Sequence, residues 1–101
     1  MVLYQVKTKI PAEHVTEFNE WYHNEHIPEV MKLSGCTSAR RFKAIEAEDT
    51  FTFLAVYEFS DKEPFIRYQN SKEKQDLVKD FMDKFGDRAE LKASSWEQIY
   101  P

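Results

Sequence analysis

Cysteine, glycine and long apolar runs are all scarce in this 101-residue chain, and each scarcity closes off a class of function. The lone Cys36 excludes an internal disulfide and makes a reducing, cytoplasmic compartment the expectation. Two glycines cannot build a Gly-rich phosphate cradle. No apolar run approaches the ~20 residues that span a bilayer, so no membrane association is expected. The opening MVLYQVKTKI reads as a strand rather than a secretory leader. Fourteen Lys and Arg are interspersed among eighteen Asp and Glu, without a basic stripe for a phosphate backbone, so nucleic acid is not an expected partner. The length allows one domain, residues 1–101, and no linker, repeat or low-complexity segment interrupts it.

Aromatic rings, by contrast, are plentiful: eight Phe, five Tyr and two Trp. A domain this small buries a limited share of its surface, so one thin core has difficulty holding them all. That is the first hint of a partner.

Val2, Tyr4, Val6 and Ile10 alternate with polar residues, the pattern of a half-buried strand. After Pro11, Val15, Phe18 and Tyr22 recur at helical spacing with Trp21 at the edge of the stripe. Pro28 cannot donate to the carbonyl of Asn24, so a kink or break is expected near Ile27. A turn at Ser34-Gly35 leads to a second strand, Cys36 to Ile45, and Phe51 to Phe59 is the most apolar strand. Ser60 and Glu63 form a capping-box pattern ahead of a helical segment. The pattern renews after Asn70-Ser71 with Leu77, Val78, Phe81, Met82 and Phe85, and Gly86 closes it. Ala89 to Tyr100 is the last strand.

The order β-α-β-β-α-β predicts an α+β, ferredoxin-like fold: a four-stranded antiparallel sheet with helices on one face. In the third strand, positions 51 to 59 are apolar on both faces, yet helices can cover only one. A second copy of the chain is the simplest cover for the other, giving a homodimeric barrel around a shared apolar chamber. A tight interface filled by the aromatics fits the same pattern.

Phe18 to Val30 (FNEWYHNEHIPEV) and Ser34 to Phe42 (SGCTSARRF) resemble the dimeric α/β-barrel superfamily. The likeness is to its EthD-like branch and to a related group of short uncharacterised bacterial proteins, and it extends over nearly the whole chain. The resemblance implies the barrel fold, and for function a range: monooxygenases, isomerases, lactone-processing enzymes and polyketide cyclases. The Asn/Trp/His set of the haem-degrading branch has no equivalent here, and no cofactor is expected.

At 100° per residue, Val15, Phe18, Tyr22, His26 and Glu29 share one inward arc. His26 is the candidate acid/base, with Tyr22 beside it and Glu29 placed to orient it. The competing reading has His26 bonded to a backbone carbonyl at the helix end. Arg40 and Arg41 point to opposite faces of their strand, and one of them is an anion hook or a partner for a helix carboxylate. Phe51, Phe53, Tyr57 and Trp96 are the candidate walls for a small apolar or aromatic acid. Glu20 and His23 form a single helical pair, too little for a metal site, and none is expected. Cys36 reads as a small buried hydrophobe. The residues leave open whether the chain is a cofactor-independent isomerase, cyclase or lactone-processing enzyme, an EthD-like degradative enzyme, or a non-catalytic binding or accessory protein.

Overall fold

Alternation in the first strand sets the middle of the sheet. The computed structural model describes residues 1–33 and 35–101, so of the expected Ser34-Gly35 turn, Ser34 lies outside the described residues. In β1 (Val2–Lys9), Val2, Tyr4 and Thr8 are buried, and the strand is hydrogen-bonded on both edges. β2 (Cys36–Lys43), β3 (Phe53–Phe59) and β4 (Glu90–Glu97) complete an antiparallel sheet in the order β2-β3-β1-β4. One long helical run carries α1 (Val15–Trp21), a π turn (Tyr22–His26) and α2 (Ile27–Met31). α3 (Lys62–Gln69) and α4 (Lys72–Phe85) form the second helical layer segment. This is the expected ferredoxin-like order, with helices on one face.

Two of the expected caps differ in detail. The carboxylate of Asp61, not the Ser60 hydroxyl, accepts from the first amide of α3, at 2.7 Å from Lys62 N. Gly86 ends α4 with φ −59°, so left-handed backbone is not its reason. A Cβ there would press on the Met82 carbonyl, so what the position demands is space. Gly35 does need its freedom, with φ +90° and Pro64 packed where a side chain would go.

Cross-strand partners share a face, so the register sorts the side chains. Phe53, Ala55, Tyr57 and Phe59 of β3 pair with Thr8, Val6, Tyr4 and Val2, and all face the helices. Phe18, Val30, Phe59 and Phe85 fill the interior there, almost wholly excluded from water. The other face is bare. It presents Leu54, Val56 and Glu58 of β3 beside Leu3, Gln5 and Lys7 of β1, with Arg40, Phe42 and Trp96 on the flanking strands. Its apolar middle is thus framed by charge, and the Arg40–Glu58 pair closes at 3.1 Å. The rings of β3 expected between two sheets are instead under the helices. β4 is exposed along its whole length, because the helices cover mainly β1 and β3.

Candidate functional site

Pro28 lies inside the helical run without breaking it, contrary to expectation. Ile27 N–H donates to Tyr22 O, five residues back, and this widened turn keeps the prolyl ring clear of the Asn24 carbonyl. The wide turn also resets which residues point inward. In a regular α-helix residues five apart diverge by about 140°. Here Trp21 and His26 stack, with ring centroids 4.7 Å apart and planes inclined by 20°. Trp21, placed at the stripe's edge by spacing alone, is buried in the core.

The same change of phase turns Glu29 outward. It pairs with Lys32 at 3.1 Å and is mostly exposed, so it does not orient His26. The carboxylate that acts on His26 is Asp80 of α4, which accepts from the Trp21 indole N–H at 3.2 Å and pairs with Lys84 at 3.1 Å. Nor does the imidazole cap the helix: its Nδ1 is buried without a hydrogen-bond partner.

Between the helices and the sheet lies a cavity of about 70 Å³. His26, Tyr22 and Tyr57 converge on it, joined by Tyr4, Tyr68 and Lys74. Tyr57 Oη is also buried without a well-aligned partner. Burial lowers the His26 pKa to about 4, helped by the charge of Arg41 and opposed by Asp80, so the ring is neutral at pH 7. Burial drives the Tyr57 hydroxyl well above its ordinary range, and the neighbouring tyrosines add to this. For Tyr22 burial also raises the pKa, and Arg41 offsets part of the rise. The site therefore offers a neutral imidazole and protonated phenols in water-poor surroundings. Such groups can donate and accept hydrogen bonds, and can pass a proton, with no charge to neutralise first.

Alternation settles which arginine faces which way. Arg40 is on the bare face with Glu58. Arg41 is on the helix side, its guanidinium 4.3 Å from the Tyr22 ring centroid and 5.2 Å from that of Phe53. Nη1 donates to Asn19 Oδ1 at 2.7 Å and lies 3.1 Å from His23 Nε2. Nε and Nη2 are buried without partners, and among the described residues no carboxylate pairs with the group. Neither arginine makes the expected bridge to a helix carboxylate. Arg41 backs the Tyr22 ring rather than lining the cavity.

The remaining candidates are dispersed. Phe53 packs on Phe18, with centroids 6.0 Å apart. Phe51, just before β3, lines a separate groove of about 560 Å³ beneath the 44–52 loop. Trp96 sits on the bare face opposite Leu3, 58% exposed. Cys36 is buried, and burial raises its thiol pKa. His23, the would-be metal ligand, is engaged with Arg41, and among the described residues no three His, Cys, Asp or Glu side chains gather to hold a metal. No helix is long and apolar enough to cross a membrane.

Lys74 and Tyr68 went unpredicted. Lys74 precedes Leu77 by three and Phe81 by seven, which puts it in the apolar stripe of α4, a signal present in the spacing.

Residues 1–99 match a family described as a domain of unknown function, DUF4286. The chain belongs to that family. No curated protein matches it. Among solved structures, this DUF4286 chain is similar to an ethyl tert-butyl ether degradation (EthD) family protein of Bacillus halodurans. That similarity has a TM-score of 0.71 at 20% identity, covering 98% of this chain and 100% of that one. It is also similar to HapK of Hahella chejuensis, with a TM-score of 0.75 at 18% identity over 98% and 93% of the two chains. A candidate antibiotic biosynthesis monooxygenase of Deinococcus radiodurans matches with a TM-score of 0.74 at 13% identity, over 100% and 95%. At such identities the DUF4286 chain shares with these proteins a ferredoxin-like fold.

Proposed function

We propose that this is a small-molecule-binding protein, working as a homodimer, whose ligand occupies the cavity between the helices and the sheet. One observation carries the reading. His26 Nδ1 and Tyr57 Oη are buried without partners around the same apolar space. Buried polar groups are nearly always satisfied, and two orphans converging on one cavity are what a polar ligand would complete. The cavity forms within one chain and needs no second copy.

In the catalytic form of this reading the chemistry is cofactor-independent proton transfer, as in isomerisation, cyclisation or lactone handling. Neutral His26 takes a proton from one ligand atom and returns it to another, while Tyr57 donates a hydrogen bond to the ligand's oxygen. The low His26 pKa of about 4 favours a second reading, a non-catalytic binding or accessory protein, because so weak a base accepts protons poorly at neutral pH. The EthD and monooxygenase names of the structural relatives fit either form.

Titrating the imidazole by NMR with and without a panel of small aromatic acids tests the site. A ligand-dependent change in the His26 titration is expected, and a curve unmoved by every acid removes the residue from it. For the dimer, the bare face centred on Leu54 and Val56 is the proposed contact. Native mass spectrometry of protein from its own host should report a doubled mass together with any retained molecule. Leu54→Asp should return a single-chain mass, and a wild-type protein already monomeric at micromolar concentration sinks the dimer.

A further inference from the structure

Four lysines lie in α4, and three of them pair with carboxylates on the same helix. Lys72 reaches Asp76, Lys79 reaches Asp83 and Lys84 reaches Asp80. Lys74 is the exception. Its ammonium lies over the rings of Tyr4 and Tyr68, 5.2 and 5.8 Å from their centroids, and its one side-chain hydrogen bond is to Gln69 Oε1. It is half-buried, and it is the one Lys or Arg that lines the cavity, where no Asp or Glu accompanies it.

A cation withdrawn from water without a counterion is costly, and cation–π contacts offset only part of that cost. An incoming anion would supply the missing partner, in a place where poor hydration strengthens the pair. We propose that Lys74 is the charge anchor of the cavity and that its ligand is a compact carboxylic acid. The carboxylate pairs with Nζ in place of Gln69, and the apolar body lies among Tyr4, Tyr22, Tyr57 and Tyr68. Arg41, screened behind Tyr22, and Arg40, on the bare face, are not the anchor. A singly charged head suits a small space with one ammonium better than a phosphate, which brings nearly two charges and three acceptor oxygens. This inference rests on the small-molecule reading above and gives that ligand its class.

The test uses benzoate, benzyl alcohol and benzylamine as probes of the full-length protein, with binding read from tyrosine and His26 resonances. Wild type should bind benzoate at least about tenfold more tightly than the alcohol, and the amine more weakly than either. Lys74→Met keeps the packing of the stem on Tyr4 and Tyr68, so it should melt near wild type and bind the alcohol unchanged while losing the preference for benzoate. Lys74→Arg should retain most of that preference. Equal affinity of wild type for benzoate and the alcohol, or a preference that survives in Lys74→Met, overturns the assignment while leaving a binding cavity in place. If none of the three probes shifts the cavity resonances, the small-molecule reading itself falls and takes the anchor with it.

Discussion

Arg40 and Arg41 are adjacent in β2, and the strand's alternation sends them to opposite faces of the sheet. On the bare face Arg40 pairs with Glu58 while remaining largely in water. On the helix side Arg41 rests on aromatic rings, with two of its nitrogens buried and unpartnered. The contrast extends to the two faces as a whole. The bare face has an apolar middle and a polar frame whose charges are solvated. The covered face holds the largest buried rings and, among them, His26 and Tyr57 with polar atoms that nothing in the chain satisfies. Polar groups left unsatisfied beneath a dense aromatic core lower stability, so their gathering at one cavity points to a use.

Four measurements would sharpen or break this contrast. The largest effect is expected at Phe59, fully buried under the helices, where Phe59→Ala should lower unfolding free energy by about 3–5 kcal/mol in urea titrations. A loss below about 1 kcal/mol would mean the covered face is not the core.

Next comes pH. The His26 pKa is about 4 in the folded chain against 6.5 for a free imidazole. Between these values the unfolded chain binds more protons, so stability rises with pH across that window and is fully present above 6.5. The change is on the order of 3 kcal/mol, and His26→Phe should flatten it. Equal pH slopes for variant and parent would place the imidazole in water.

Tyr57→Phe deletes a buried hydroxyl that lacks a well-aligned partner. Thermal unfolding should show stability unchanged or raised by up to about 1 kcal/mol, although ligand binding suffers. A clear destabilisation would reveal a hydrogen bond that matters. The smallest effect belongs to Arg40→Ala, which should stay within about 0.5 kcal/mol of wild type, since solvated pairs contribute little.

Much of the architecture could be read from residue order. The strand order, the renewal of helix at Ser71 and the inward Val2, Tyr4, Phe18 and Tyr22 all follow from periodicity, because period two and period 3.6 are distinct where one face is polar. Reading failed where the pattern was symmetric or the period changed. β3 is apolar on both sides, so alternation alone could not assign Phe53 and Tyr57 to the helices and Leu54 to the bare face. A fixed 100° step cannot anticipate a π turn, and that one step misplaced both Trp21 and Glu29. A proline within an otherwise unbroken apolar stripe was the available hint. Lys74 escaped notice because a lysine between charged neighbours looks solvated, even when its spacing to Leu77 and Phe81 places it inward.

The wide turn before Pro28 gives the helix one residue more than its path requires. Shortening the Tyr22–His26 segment by a single residue should therefore tighten the coil and still leave indole and imidazole in register. Replacing Pro28 with alanine would restore an amide able to bond Asn24, and rewinding would swing the imidazole by about 100°. One missing hydrogen, far from any ligand, thus governs which way the most reactive side chain of the interior looks.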